Sequence, residues 1–144
     1  MAEIGTDLLK AKTFLEHGEL VAIPTETVYG LAGNALNTSA VAKIFSVKDR
    51  PWFDPIIVHV PDLEHAKSYV QEIPEQAILL AKHFWPGPLT LLLNRQSIIP
   101  DLVTSGLSTV GIRCPNHSIT RDLLKSLSFP LAAPSANPFG YISP

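Results

Sequence analysis

Apolar residues recur along the chain in short blocks whose internal spacing switches between that of a helix and that of a strand. Leu8, Ala11 and Leu15 share one helical face, with Thr6 placed to cap this first helix, His17 near its end and Gly18 as its stop. Leu20 to Ile23 reads as a short strand closed by Pro24. Ser39 opens a second helix with Val41, Ile44 and Phe45 on one side, and Pro51 biases Arg50 away from helical backbone. Ile56 to Val60 is almost continuously apolar, the pattern of a strand covered on both faces. Asp62 caps a helix through about Val70, and Pro74 starts another through about Phe84. Leu89 to Leu93 and Thr109 to Cys114 are strands, Ser118 or Asn116 caps a helix ending near Leu127, and Leu131 to Ala133 is the last strand. Strands alternating with helices predict an α/β domain built on a twisted, mixed parallel and antiparallel sheet with flanking helices.

Composition narrows the function without naming it. A chain of 144 residues, 46% hydrophobic and 17% charged, is the size and character of a single globular domain. Thirteen prolines fall between the apolar runs, which points to short elements joined by stiff turns. A net charge of −2 argues against a generic basic coat for nucleic acid, while leaving room for a local basic cleft. Cys114 is the single cysteine, so the chain can form neither an internal disulfide nor a cysteine zinc site. The N-terminal residues carry no basic leader pattern, and runs such as Leu89 to Leu93 are too short for a bilayer, so the expected location is the cytoplasm, without a membrane partner. The chain stops at Pro144 inside a predicted loop, and therefore reads as shortened at its C-terminus.

The candidate chemistry lies in polar residues that do not suit a core. In the strand Thr109 to Cys114, alternation puts Val110, Ile112 and Cys114 on one face and Thr109, Gly111 and Arg113 on the other. Arginine can clamp a carboxylate or phosphate through two parallel hydrogen bonds. An internal ion pair, or a sheet edge reaching solvent, accounts for Arg113 equally well. His59 interrupts an apolar strand, as a hydrogen-bonded core histidine often does. Lys48 and Arg50 flank Asp49 at a helix end, where cations favour the macrodipole or clamp a phosphate. Pro24-Thr25-Glu26-Thr27 and Ser135-Ala136-Asn137 are polar turns just beyond strands, a common setting for ligands of open α/β sheets. Glu26 reads as an ordinary turn residue, and Cys114 as inert packing. The sequence contains no Gly-x-x-x-x-Gly-Lys-Ser/Thr loop, no Gly-x-Gly-x-x-Gly and no Gly-x-Ser-x-Gly elbow, so any nucleotide site must come from scattered loops.

Six stretches taken together resemble the YrdC-type threonylcarbamoyl-adenylate synthases. They are Ile23-Pro24-Thr25-Glu26-Thr27-Val28-Tyr29-Gly30-Leu31, Lys48-x-Arg50-Pro51, Pro55-Ile56-Ile57-Val58-His59, Phe84-Trp85-Pro86-Gly87-Pro88-Leu89-Thr90, Gly111-Ile112-Arg113-Cys114-Pro115 and Ala133-Pro134-Ser135-Ala136-Asn137. The resemblance implies a YrdC-like domain over residues 1–144 with a deep concave cleft, continued by further elements that share in the sheet and the nucleotide pocket. It implies an enzyme, a nucleotidyltransferase joining L-threonine, bicarbonate or CO2, and ATP into threonylcarbamoyl-AMP with release of pyrophosphate. A separate tRNA threonylcarbamoyl transferase would receive the intermediate, so tRNA or other RNA need be bound only weakly. By the same resemblance Thr27, His59, Arg113 and the backbone of Ala133 seat threonine, while Lys48 and Arg50 act on the triphosphate. Arg50, Asp54, Thr109, Ser135 and Ser143 contact ATP, and Mg2+ travels with the nucleotide. Asp54 stands where the family often has a neutral polar residue.

Two rival readings use the same cleft: a non-catalytic RNA-binding or ribosome-associated module, and a paralogue with another carbamoyl-transfer substrate. Trp52 and Trp85 lie beside prolines in predicted packing turns, which leaves the RNA reading without paired exposed aromatics.

Overall fold

The computed structural model describes Gly5 and residues 7–137. Among these residues a six-stranded sheet runs in the order β1-β2-β6-β3-β5-β4. Its strands are β1 (Val21–Ile23), β2 (Gly30–Asn34), β3 (Val58–His59), β4 (Thr90–Asn94), β5 (Thr109–Arg113) and β6 (Leu131–Ala132). The helices are α1 (Leu8–Glu16), α2 (Thr38–Lys48), α3 (Leu63–Ala66), α4 (Glu75–Phe84), α5 (Asp101–Thr104) and α6 (Ser118–Ser126). Only β3 and β5 pair parallel, with His59 opposite Arg113; the other pairings are antiparallel. The sheet is therefore mixed and open, as the alternation of patterns predicts.

The two faces of this sheet are covered unequally, and that difference creates the site. On one face Val58, Leu91, Leu93, Val110, Ile112 and Ala132 pack against α2, α3, α4 and α5 through residues such as Val41, Ile44, Ala66, Ala81 and Val103. On the other face Ile23, Ala32, Leu131 and Ala133 are sealed by Leu15 of α1 and by Leu123 and Leu124 of α6. Among the described residues these two helices pack mainly over β1, β2 and β6, and over β4 and β5 the second face is less covered, with Leu92 70% exposed and Thr109 and Gly111 half-buried. A Cβ at Gly111 would come 3.1 Å from Thr90 Cγ2, so the glycine keeps this floor low. Among the described residues no helix is long and apolar enough to cross a membrane.

Several boundaries differ from those the sequence suggests. The first cap is Asp7, whose carboxylate accepts from Lys10 N at 3.2 Å; Thr6 lies outside the described residues. Asn37 rather than Ser39 caps α2, accepting from Ala40 N. Asp62 does cap α3, yet that helix ends at Ala66 instead of Val70. The cap position of α6 is His117, without a side-chain bond, not Ser118 or Asn116. The strand expected over Ile56 to Val60 keeps only Val58 and His59 in its ladder, because Ile56 N turns to Val103 O instead. Two elements escape sequence reasoning altogether. The β2 segment Gly-Leu-Ala-Gly-Asn has low strand propensity and forms because β1 and β6 pair with it on either side. The α5 segment is one helical turn, too short to show a periodicity. Trp85 packs as expected, donating from Nε1 to Leu89 O at 2.8 Å. Trp52 does not: it is 69% exposed and stands edge-on to the equally exposed Phe53.

Ile112 is fully buried where the sheet is covered by α2 and α5. Ile112→Ala should therefore cost about 2–5 kcal/mol of stability, read as a lower urea midpoint at an unchanged slope. A loss below about 1 kcal/mol would mean that this face is not the main core.

Candidate active site

The loop after β1 is shaped by its own hydroxyl groups. Thr25 Oγ1 accepts from the amides of Thr27 and Val28, each at 3.2 Å, and donates to Val28 O at 2.6 Å. This local bonding is what serine and threonine offer in turns. The loop is then anchored from outside. Fully buried Thr120 of α6 donates to Pro24 O, Ala136 N donates to Tyr29 O at 2.8 Å, and Leu31 N donates to Pro134 O at 2.8 Å. Thus fixed, the loop carries Glu26 over the end of β5.

There Glu26 meets Arg113. Oε1 accepts from Arg113 Nη2, and Oε2 accepts from the Asn116 amide at 2.7 Å. Arg113 Nε donates to Gly87 O at 3.2 Å, and Nη2 lies 3.4 Å from Thr27 Oγ1. The two side chains are 11% and 22% exposed, so the pair is largely withdrawn from water. Gly87 is delivered by a turn with a cis Trp85–Pro86 peptide and is pinned by its own amide to Cys114 O at 2.8 Å. Cys114 is inert packing, as its strand position suggests: it is buried, its thiol donates to Pro61 O at 3.1 Å, and burial pushes its pKa up.

His59 is the parallel neighbour of Arg113 and is 3% exposed. Its Nδ1 is buried with no hydrogen-bond partner while the backbone of Ile57 and Leu131 bonds to the ring, so the core histidine that a sequence reading favours is only partly satisfied. Burial first, and the Arg113 charge second, push its pKa down to about 4; the carbonyls of Ile57 and Leu131 pull more weakly the other way. The imidazole is consequently neutral at physiological pH.

A second group forms where α2 ends. Asp49 takes a left-handed conformation (φ 52°) and turns the chain, so that Lys48 points inward and Arg50 runs along the following loop. Lys48 is 4% exposed, and its ammonium donates to Ser135 O at 2.5 Å and to Asn137 O. Burial and the Arg50 charge lower its pKa, with Asp54 opposing. Arg50 donates to Asp54 O at 3.2 Å and Pro55 O at 2.8 Å, and its Nη2 lies 3.1 Å from the Asp54 carboxylate. Burial lowers the Arg50 pKa against the pull of Asp54.

Thr27, His59 and Arg113 thus stand together, while Lys48, Arg50, Asp54 and Ser135 form a neighbouring set. The turn after β6 joins them: Ala133 N donates to Ile57 O at 3.2 Å, and Ser135 bridges Gly30. Thr109 lies at the opposite end of β5 from Arg113, about 13 Å along the strand and away from the Thr27–His59 group. Ser143 lies outside the described residues. Sequence reasoning missed Glu26, Gly87 and Asn116. The available signal was Glu26, a carboxylate flanked by two hydroxyl residues inside a motif, but its partner lies 87 residues away.

Comparisons with known proteins find relatives of this sequence and this fold. A family model, Sua5/YciO/YrdC, described as telomere recombination, matches residues 13–144. The chain is 49% identical over 134 residues to threonylcarbamoyl-AMP synthase of Pyrococcus abyssi, covering 93% of this chain and 39% of that protein. It is 46% identical over 138 residues to the Bacillus subtilis threonylcarbamoyl-AMP synthase, covering 95% of this chain and 40% of that one. The chain therefore spans about two-fifths of the length of these relatives. The crystal structure of P. abyssi Sua5 complexed with L-threonine superposes with a TM-score of 0.94 at 46% identity, over 99% of this chain and 42% of that one.

The His59 environment predicts an acid-sensitive fold. Between pH 6.5 and about 4 unfolded His59 binds a proton that the folded protein refuses, so stability falls as pH falls through that window. The gap from 6.5 to about 4 corresponds to on the order of 3 kcal/mol that His59→Gln should not lose, measured by urea unfolding at the two pH values. Equal acid losses in the two proteins would place the titration elsewhere. Lys48→Met should free the turn it holds, a charged donor bond being worth about 1.5–3 kcal/mol, and amide exchange at Ala136 should quicken while exchange at Ile112 does not.

Proposed function

The chain belongs to the Sua5/YciO/YrdC family, and from that premise we propose that it carries the threonine site and part of the nucleotide site of a threonylcarbamoyl-AMP synthase acting in tRNA modification. The observation that carries the reading is the cluster of Arg113, neutral His59 and Thr27 at one end of the half-open face, beside the Lys48–Arg50 group. Threonine lies with its carboxylate on Arg113 and its hydroxyl and methyl toward Thr27, uncharged His59 and Ala133. The triphosphate lies toward Arg50, with Asp54, Ser135, Thr109 and Ser143 completing the contacts. Asp54 must yield part of Arg50 for this, since the two side chains are paired. Lys48 acts through the backbone of the Ser135 turn and through its positive charge.

In this reading the threonine ammonium first gives up a proton to solvent, and the free amine then adds CO2 drawn from bicarbonate and loses a second proton, giving N-carboxythreonine. A carbamate oxygen then bonds to the α-phosphorus of ATP, the bond to the bridging oxygen breaks, and pyrophosphate leaves. The protein supplies alignment and positive charge where negative charge spreads. We place Mg2+ with the triphosphate, whose charge it neutralises. The product passes to a separate tRNA transferase, in the cytoplasm. Exposed Trp52 and Phe53 next to Arg50 favour a second reading, an RNA-binding module in which bases stack on this pair.

Threonine-dependent pyrophosphate release from ATP in the presence of bicarbonate tests the proposal. Release should require threonine and fall by about 10- to 100-fold in Arg113→Ala, as for a lost charged hydrogen-bonding partner. No release, together with RNA affinity that falls with Trp52→Ala and ignores threonine, would favour the second reading.

A further inference from the structure

An arginine meant only to hold a carboxylate should present a net positive charge to its ligand. Arg113 does not, because Glu26 already neutralises it within a pair mostly out of water. A plain carboxylate arriving at Nη1 would gain the guanidinium and suffer the adjacent Glu26 charge. A ligand carrying a carboxylate and a cation side by side would meet both halves of the pair.

The unused hydrogen-bonding capacity matches such a ligand. Arg113 commits Nε to Gly87 O and Nη2 to Glu26 and Thr27, which leaves the two N–H groups of Nη1. Each carboxylate oxygen of Glu26 accepts one bond, from Arg113 or from the Asn116 amide, and a carboxylate oxygen can accept two. His59 adds no further positive charge, since its imidazole stays neutral. We propose that Glu26 and Arg113 together read the zwitterion of the amino-acid substrate, Arg113 taking the carboxylate and Glu26 the ammonium group. Glu26 is then a specificity-determining residue, selecting a free α-amino acid over the corresponding hydroxy acid. The inference rests on the synthase reading and extends it to a residue outside the set expected from sequence.

The competing role is a brace, in which Glu26 holds Arg113 and the loop in place without touching ligand. Calorimetric titration of the intact protein with L-threonine and with 2,3-dihydroxybutanoate, which carries a hydroxyl in place of the ammonium, separates the two roles. Wild type should prefer threonine by at least about tenfold, the difference a charged hydrogen bond makes. Glu26→Gln should weaken threonine by a similar factor and leave dihydroxybutanoate unchanged or tighter, and Glu26→Asp, which keeps the charge, should recover part of the preference. Equal weakening of both ligands, or no change in either, would identify a brace and overturn the inference while leaving the synthase reading intact. Wild type binding both ligands equally would overturn it as well, even if Glu26→Gln failed to fold. Wild type binding neither would overturn the threonine site and the inference together.

Discussion

A guanidinium held almost out of water at the end of a strand needs a counter-charge and hydrogen-bond acceptors, and much of the architecture around Arg113 supplies them. Leaving such a charge unpaired would cost several kcal/mol, so its partners are positioned by independent elements. The Trp85–Gly87 turn offers one carbonyl. The loop after β1 offers Glu26, and that loop is held in turn by Thr25 within it, by Thr120 of α6 and by the turn after β6. Loosening any of these changes how Arg113 is presented.

The turn over Ala133–Asn137 performs a second, parallel task. Lys48 reaches it from α2 with a buried ammonium, which binds carbonyls rather than facing solvent. Residues of the two polar groups thereby share a backbone frame, which runs from the α2 end through the Gly30–Ser135 bridge to the loop bearing Glu26. Buried, well-satisfied donors suit this purpose because they tolerate few alternative geometries. Asp54, which holds Arg50, and Glu26, which holds Arg113, follow a common pattern: each candidate anion-binding arginine rests on an internal carboxylate.

Much of the fold was legible because it rests on local chemistry. The stripe of α1, the Asp62 cap, the start of α4 after Pro74 and the alternation of β5 are consequences of spacing and capping, and the structure reproduces them. The face assignment of Thr109, Gly111 and Arg113 also held, since strand alternation leaves no freedom once the strand exists. The errors fall where partners decide. Gly30–Asn34 becomes a strand because two neighbours supply its hydrogen bonds, and Trp52 is exposed because no described residue covers its ring. Of the readings offered for Arg113, the structure contains the internal ion pair, formed on the less covered half-face.

What the sequence determined by itself was the α/β character, most helices and strands, the family motifs, and the residue types able to handle anions. Those features depend on side-chain periodicity and on bonds between residues a few positions apart. The tertiary structure decided which face stayed open, that Glu26 closes on Arg113 across 87 residues, that Lys48 turns inward, and that His59 loses its charge. Each of these follows from burial and from contacts between distant segments, and neither quantity exists until the chain has folded.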